Sequence, residues 1–284
     1  MSLNFAAVGR EFGPELITWT PRDVMLYALG VGAGQVGPFA ELQFTSENTR
    51  GLDLQTLPTF GIMQAARVSS RPSFGDFPAT ALLHGEQSIT VHRPLAPNES
   101  ALASFEIEHI YDMGSGALMV ARSELRDPTS NELILQCRAS YFIRGEGGFG
   151  GARPQRTGWD QPARVPDHVV SATVRADQPL LYRLSGDPNP LHSDPAVAAE
   201  AGFPRPILHG LCTYGITARC LVHALCGGEA SRLRAIEGRF TKPVLPGTTL
   251  SIRVWGGRSG TASFQTVDAA DDVVLDRGRC DYLP

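Results

Sequence analysis

The sequence predicts an α+β fold of two similar units, and three observations carry that expectation. Ile207, Leu208, Leu211, Tyr214, Gly215, Ala218, Leu221, Val222 and Leu225 recur at three- and four-residue steps, which predicts one apolar face on a helix of about 20 residues. Short β-prone runs follow at 234–240, 249–255, 262–267 and 273–282, the pattern of one helix covered by an antiparallel sheet. The two halves of the chain also echo each other. The tyrosines of Asp23-Val-Met-Leu-Tyr27-Ala-Leu-Gly30 and Pro179-Leu-Leu-Tyr182-Arg-Leu-Ser-Gly186 are offset by 155 residues.

In the first half, Thr20 and Pro21 read as the N-cap and first position of a helix. Leu57 to Val68 is the weaker counterpart of the long helix, and Ala101 to Tyr111 is strand-like. Leu83-His84-Gly85, then Arg93-Pro94-Leu95, matches Ile236-Glu237-Gly238, then Lys242-Pro243-Val244. In the second half, Pro204 and Pro206 suit the start of the long helix, and Gly227-Gly228 its end. The repeat is too long for a solenoid and implies a duplicated domain. A Gly- and Pro-rich stretch separates the copies. The expected boundaries are an N-terminal unit at 1–144, a linker at 145–163 and a C-terminal unit at 164–284.

The 284 residues carry a formal net charge of −4 with 19% charged residues, which argues against a nucleic-acid partner. Five cysteines without a C-x-x-C pair suit a reducing cytoplasm. No apolar run reaches the about 18 residues of a membrane span, and the end Tyr282-Leu-Pro284 is not a peroxisomal address.

Chemistry concentrates in Gly186-Asp187-Pro188-Asn189-Pro190-Leu191-His192. Two prolines fix φ and remove two donors, so an acid, an amide and an imidazole sit on a stiffened loop. Imidazole exchanges protons near neutral pH, and a carboxylate can orient it. Spacing alone leaves a plain Asx turn equally open. Downstream, Gly210 of Arg205-Pro-Ile-Leu-His209-Gly210 falls in the first turn of the expected helix. Amides there lack intrahelical partners and favour negative charge. Close packing is the alternative role for Gly210, and a structural role is expected for His209 and Tyr182.

The stretch Tyr182 to His192 resembles the signature of the (R)-specific enoyl-CoA hydratases, or hydratase 2, among the MaoC-like dehydratases. The resemblance continues through 201–210, 239–247, 23–34 and 83–87. It implies a double hotdog fold, each half a long helix cradled by a curved antiparallel sheet. It also implies reversible hydration of a trans-2-enoyl-CoA to an (R)-3-hydroxyacyl-CoA, a reaction of fatty acid metabolism. Asp187 and His192 would activate one water, Asn189 would orient them, and the Gly210 amide would hold the thioester carbonyl. His84, Gly85, Pro188, Pro190, Leu191 and Phe240 would contact the acyl-CoA thioester. The second half would be catalytic and the first would form the acyl pocket, with Gly30-Val-Gly-Ala-Gly34 standing where the second half has its catalytic loop. Relatives often pair into homodimers. Met113, in Tyr111-Asp-Met-Gly-Ser-Gly116, stands where relatives often have a CoA-contacting lysine, which leaves room for another carrier. Dehydration of 3-hydroxyacyl thioesters is the same reaction reversed. Hotdog folds also serve thioesterases and acyl-thioester or steroid-like carriers; the Asp187/His192 pair argues against the first, and the complete Asp, Asn, His and Gly set against the second.

Other signals are discounted. Gly32-Ala-Gly34-Gln-Val-Gly37 matches a dinucleotide fingerprint with Asp53 downstream, but these glycines close a helix and do not follow a strand. The seven histidines show no metalloprotease spacing, and no G-x-S-x-G elbow is present. No metal or cofactor is expected. Cys212, Cys220 and Cys226 fall on or near the apolar helix as packing residues. Phe39, Phe44, Phe60 and Met63 are candidates for either the core or an acyl pocket.

Overall fold

A computed structural model describes residues 3–37, 39–154, 158–159, 161–256 and 259–284; residues 155–157 and 160 of the expected linker lie outside them. The strands are β1 (Glu11–Trp19), β2 (Leu82–Val91), β3 (Glu99–Asp112), β4 (Gly116–Arg126), β5 (Leu133–Arg144), β6 (His168–Thr173), β7 (Leu233–Phe240), β8 (Thr249–Gly256), β9 (Thr261–Val267) and β10 (Val273–Tyr282). The helices are α1 (Pro21–Gly30), α2 (Leu42–Thr45), α3 (Phe60–Ala65), α4 (Gln178–Tyr182), α5 (Pro195–Glu200) and α6 (Gly210–Cys226).

All ten strands form one antiparallel sheet in the order β1-β3-β4-β5-β2-β7-β10-β9-β8-β6. Read outward from the centre, both halves follow the same plan. The central pair is the echoed pair: β2 and β7 run antiparallel with Ile89 opposite Ile236 and Gln87 opposite Gly238. Small inward-facing residues (Ala101, Ala103, Ala117, Ala121) are buried along β3 and β4, so the sheet curves closely over what it covers.

The expected strands of the second half form where the sequence placed them. The helices depart from expectation in three ways. First, α6 starts at Gly210, not at the prolines. Before it, the Leu208 N–H donates to the Val244 carbonyl at 2.8 Å and the Ile207 carbonyl accepts from His192, so this backbone is engaged outside a helix. Second, α6 is buried nearly all round; among its residues only His223 is exposed, and only in part. The sheet covers one side and the first half the other. Third, the expected helix at 57–68 shrinks to the six residues of α3. Just beyond it, the Glu15 carboxylate accepts from the Ser69 and Ser70 N–H groups and the Ser70 hydroxyl at 2.6–2.9 Å, which ties the chain to β1 and off the helix axis. The Ser70 hydroxyl leads the causes that lower the Glu15 pKa to about 2.

The helix expected at Thr20–Pro21 is α1, with the Asp23 carboxylate accepting from the Thr20 N–H and hydroxyl. The fingerprint glycines follow this helix, and Gly32 and Gly34 take positive φ of 82° and 76°. In the stretch between the halves, Gly148 and Gly150 donate to the Asp112 carboxylate. Phe39 is 85% exposed, while Phe44 and Phe60 are core.

The two halves lock around α6. Val31 fills the space over Gly215, where an added Cβ would come within 2.5 Å of it. Buried Gln178 donates to the Gly30 carbonyl. Glu41, at a left-handed φ of 57°, accepts from Arg219 at 2.7 and 2.9 Å, from the Gly34 N–H at 2.9 Å, and pairs with His223 at 2.7 Å. Burial alone would raise the Glu41 pKa, but His223, Arg219 and Gly34 outweigh it and lower it from 4.5 to about 2.

Glu41→Gln leaves the buried Arg219 uncompensated and should lower the unfolding free energy by about 3–5 kcal/mol at neutral pH. A depressed carboxyl stabilises above its unfolded pKa and loses that contribution as pH falls through the folded value. The gap between the two proteins in urea melts should therefore be full above pH 4.5 and shrink toward pH 2. A gap constant across that range would contradict the assignment.

Candidate active site

The loop 186–192 is built by its own backbone needs. Gly186 ends a helical turn at φ 120°, a conformation L side chains rarely adopt. One Asp187 oxygen accepts from the Asn189 N–H at 3.3 Å, and the Asn189 Oδ1 accepts from the Leu191 N–H at 3.1 Å. Pro190 opens the single helical turn Pro190–His192 that Asn189 caps. Asp187 is thus an Asx-turn residue as well as a candidate site residue, and Asn189 acts on His192 through the backbone. Pro188 and Pro190 are exposed on the outer side of the loop, and Leu191 is half-buried.

His192 points inward and is buried. Its Nδ1 lies 2.9 Å from the Ile207 carbonyl. A carbonyl only accepts, so the hydrogen sits on Nδ1 and Nε2 presents a lone pair. Burial lowers the His192 pKa, opposed by the Ile207 carbonyl and the Asp187 charge. His209 stacks on His192 with ring centroids 3.8 Å apart, and its Nε2 donates to the Asp187 carbonyl at 3.2 Å. Burial and the neighbouring His192 push the His209 pKa down to about 3. Tyr182 closes the stack 4.9 Å from His209, and its hydroxyl donates to the Met63 Sδ at 3.3 Å.

Asp187, His192 and His209 each bring one potential ligand atom within 4.8 Å of the others. The two imidazoles stack nearly parallel, at 29°, so their in-plane lone pairs do not converge as ligands to one ion would. The arrangement suits a carboxylate beside a neutral imidazole better than a metal centre.

The first half supplies the facing wall. His84 lies between Tyr141 and Phe240, 4.9 Å from each ring. Burial there lowers its pKa to about 4, although the Glu86 carbonyl and the Asp187 charge oppose it. Gly85 forms a bulge opposite Ser140, whose hydroxyl would lie 3.0 Å from an added Cβ. Gly210 is the first residue of α6, packed on Phe240 at a distance of 3.4 Å for an added Cβ. Its N–H has no acceptor within the helix. Met113 lies on the exposed β3–β4 turn.

The structure therefore gathers Asp187, His192, Gly210, His84 and Phe240 from both halves and leaves Pro188 and Pro190 on the rim. One partner was not visible in the sequence, and another was visible there only in a structural role. The Ile207 carbonyl could not be found from residue type, because any residue has one. His209 was legible only as a neighbour of Gly210, and its stacking depends on two distant segments meeting. Cys212, Cys220 and Cys226 are buried, and burial raises their thiol pKa values, to about 11 for the last two; they are packing residues.

Two family profiles match the chain: the MFE-2 hydratase 2 N-terminal domain over residues 17–145 and the MaoC like domain over residues 159–277. A 3-hydroxyacyl-thioester dehydratase of Mycobacterium tuberculosis is 44% identical over 100% of this chain and 99% of its own. The chain belongs to the MaoC-like dehydratase family. A second M. tuberculosis protein, an enoyl-CoA hydratase, is 40% identical over 95% of each chain. The crystal structure of a MaoC-like dehydratase from Phytophthora capsici superposes with a TM-score of 0.86 at 31% identity, covering 99% of this chain and 98% of that one. The fold is the double hotdog that the resemblance implied, with one helix much shortened.

By nitrogen-15 NMR, His209 should hold the neutral, Nε2-protonated form down to about pH 4, and His192 the Nδ1-protonated form at neutral pH. A positively charged His209 at pH 6 would contradict this geometry.

Proposed function

We propose that the protein hydrates trans-2-enoyl-CoA reversibly to (R)-3-hydroxyacyl-CoA. The observation that carries this reading is the Nδ1–H···Ile207 hydrogen bond at 2.9 Å, which leaves a basic Nε2 beside the Asp187 carboxylate and near the first amide of α6. The (R) outcome rests on membership in the family.

In this reading Asp187 and His192 hold one water. His192 Nε2 takes a proton from it as the hydroxyl oxygen bonds to C3 of the enoyl group. The displaced electron pair moves through C2 to the thioester oxygen, which accepts from the Gly210 N–H, where the dipole of α6 favours negative charge. The Asp187/His192 pair then returns a proton to C2, and the oxyanion collapses to the thioester carbonyl. Asn189 acts by capping the turn that carries His192. His84 and Phe240 flank the thioester, and Gly85, Pro188, Pro190 and Leu191 shape its surroundings. Run backward, the same steps dehydrate a 3-hydroxyacyl thioester.

The six-residue α3 stands where the second half has the 17-residue α6. The shortening leaves a cavity against β3, β4 and β5 and supports the division of labour: residues 1–144 form the acyl pocket and 164–284 carry the chemistry, joined by 145–163. All these residues come from one chain, so a homodimer would not be needed to complete the site. Five free, buried cysteines fit a reducing cytoplasm. Among the described residues no helix is long and apolar enough to cross a membrane. Met113 in place of a lysine leaves the carrier, CoA or another thiol, to the substrate assay.

Asp187→Asn and His192→Ala should each abolish loss of the enoyl thioester's ultraviolet absorbance while the far-ultraviolet circular dichroism is unchanged; near-normal turnover by either would overturn the assignment. Free thiol appearing at the rate of absorbance loss would point to hydrolysis instead. Gly210→Pro removes the N–H and adds a ring in its place, at a helix position where proline is well accepted; Gly210→Ala, which keeps the N–H, controls for the added Cβ against Phe240. The proline variant should cost about 10²–10³ in kcat, with Gly210→Ala close to wild type.

A further inference from the structure

A cavity lies between α3 and the inner face of the first-half strands, lined by Ile62 and Ala66 on one side and Phe105, Ala121 and Cys137 on the other. Leu211, next to Gly210 in the first turn of α6, also lines it. Its wall is not uniformly apolar: Gln87, Ser123, Tyr141 and Arg71 contribute polar groups.

Arg71 is the unusual member. Its guanidinium lies 4.3 Å from the centroid of the Phe105 ring and 5.8 Å from that of Phe74, and one nitrogen donates to the Ala66 carbonyl at 3.3 Å. Arg93, Arg122, Arg126, Arg138 and Arg219 each pair with a carboxylate. Among the described residues, Arg71 has none within 4.0 Å. A half-buried cation held on aromatic rings, bonded to the Ala66 carbonyl and beside the Tyr141 hydroxyl but with no carboxylate next to it, can take an anion or strong acceptor from the cavity it faces. Tyr141 sits between this cation and the reacting groups. Its ring is 4.9 Å from His84, and its buried hydroxyl lies within hydrogen-bond reach of Arg71. A chain entering from the thioester position beside Gly210 would pass Leu211 and Tyr141 on its way to Arg71.

We infer that this enzyme's preferred acyl groups carry a carboxylate at the end remote from the thioester, and that Arg71 binds it. The inference rests on the enoyl-thioester reading above. Arg71 is a specificity residue here and takes no part in the chemistry.

The test compares methyl-terminated and ω-carboxylated trans-2-enoyl-CoAs of equal chain length, in a length series beginning with crotonyl-CoA. Beyond the length that reaches Arg71, wild type should prefer the carboxylate by about tenfold or more in kcat/KM. Arg71→Met should erase that preference, through KM, and leave crotonyl-CoA turnover unchanged, which also shows that the variant is folded. Arg71→Lys should keep part of it. Three results would overturn the inference. Wild type could disfavour the carboxylate. An ω-keto acyl group could be preferred over the carboxylate, which would make the partner a neutral oxygen. Arg71→Met could raise KM equally for every acyl-CoA, which would make Arg71 a contact for the CoA phosphates. If no enoyl thioester is hydrated, the reaction assignment fails instead, and calorimetric affinities for the saturated methyl- and carboxyl-terminated acyl-CoAs decide the Arg71 inference separately.

Discussion

The backbone pairing of β2 with β7 is the constraint on which the rest of the molecule depends. These two strands occupy the same place in their respective halves, and their antiparallel register sets Ile89 against Ile236. The pairing turns two five-stranded sheets into one of ten and removes two exposed sheet edges. It also fixes how the halves face each other. His84 lies on β2 and Phe240 at the end of β7, and the two rings meet 4.9 Å apart over the first residue of α6. A slip of one residue would turn every side chain on these strands to the opposite face, and this wall of the site would be lost.

The double hotdog gives two helices a place under the sheet, but only one of them is long. α6 is enclosed on nearly every side, with Gly215 left bare so that Val31 of the first half can seat on it. The buried Glu41–Arg219 pair ties the same helix to the loop after α1. α3, by contrast, is cut short where Glu15 captures the chain at Ser69 and Ser70. The asymmetry has a chemical consequence. The long helix offers a stable N-terminus with a free amide, and the short one leaves space on the opposite half.

The electrostatics of the loop 186–192 follow from burial combined with selective hydrogen bonding. His192, His209 and His84 are all held toward the neutral form by desolvation. Asp187 is half-buried and close enough for its charge to act on His192 and His84. A neutral base next to a carboxylate can accept a proton without first losing one, and the tautomer needed for that is set by the Ile207 carbonyl. The same residues make an ordinary turn. Asp187 and Asn189 satisfy backbone donors while placing the imidazole, so the turn and the candidate site are one structure.

Much of this was legible in the chain. The period of the apolar residues on α6, the capping pair Thr20 and Asp23, and the strands at 249–256 and 273–282 follow from local chemistry that a sequence displays directly. The stiffened Asp187-to-His192 loop was visible as a concentration of turn residues around two titratable groups. Where α6 begins, how short α3 is, and which carbonyl holds His192 were not, because each depends on a backbone group from elsewhere: Val244, β1 and Ile207. The meeting of His84 with Phe240, and of Arg71 with Phe105, likewise required the sheet to close. The sequence by itself determined the two-unit α+β plan and the residues able to do acid–base work, since periodicity and residue type are local properties. Only the tertiary structure decided which of them share a site, because that contact depends on strand register and on hydrogen bonds from backbone groups that look the same at every position.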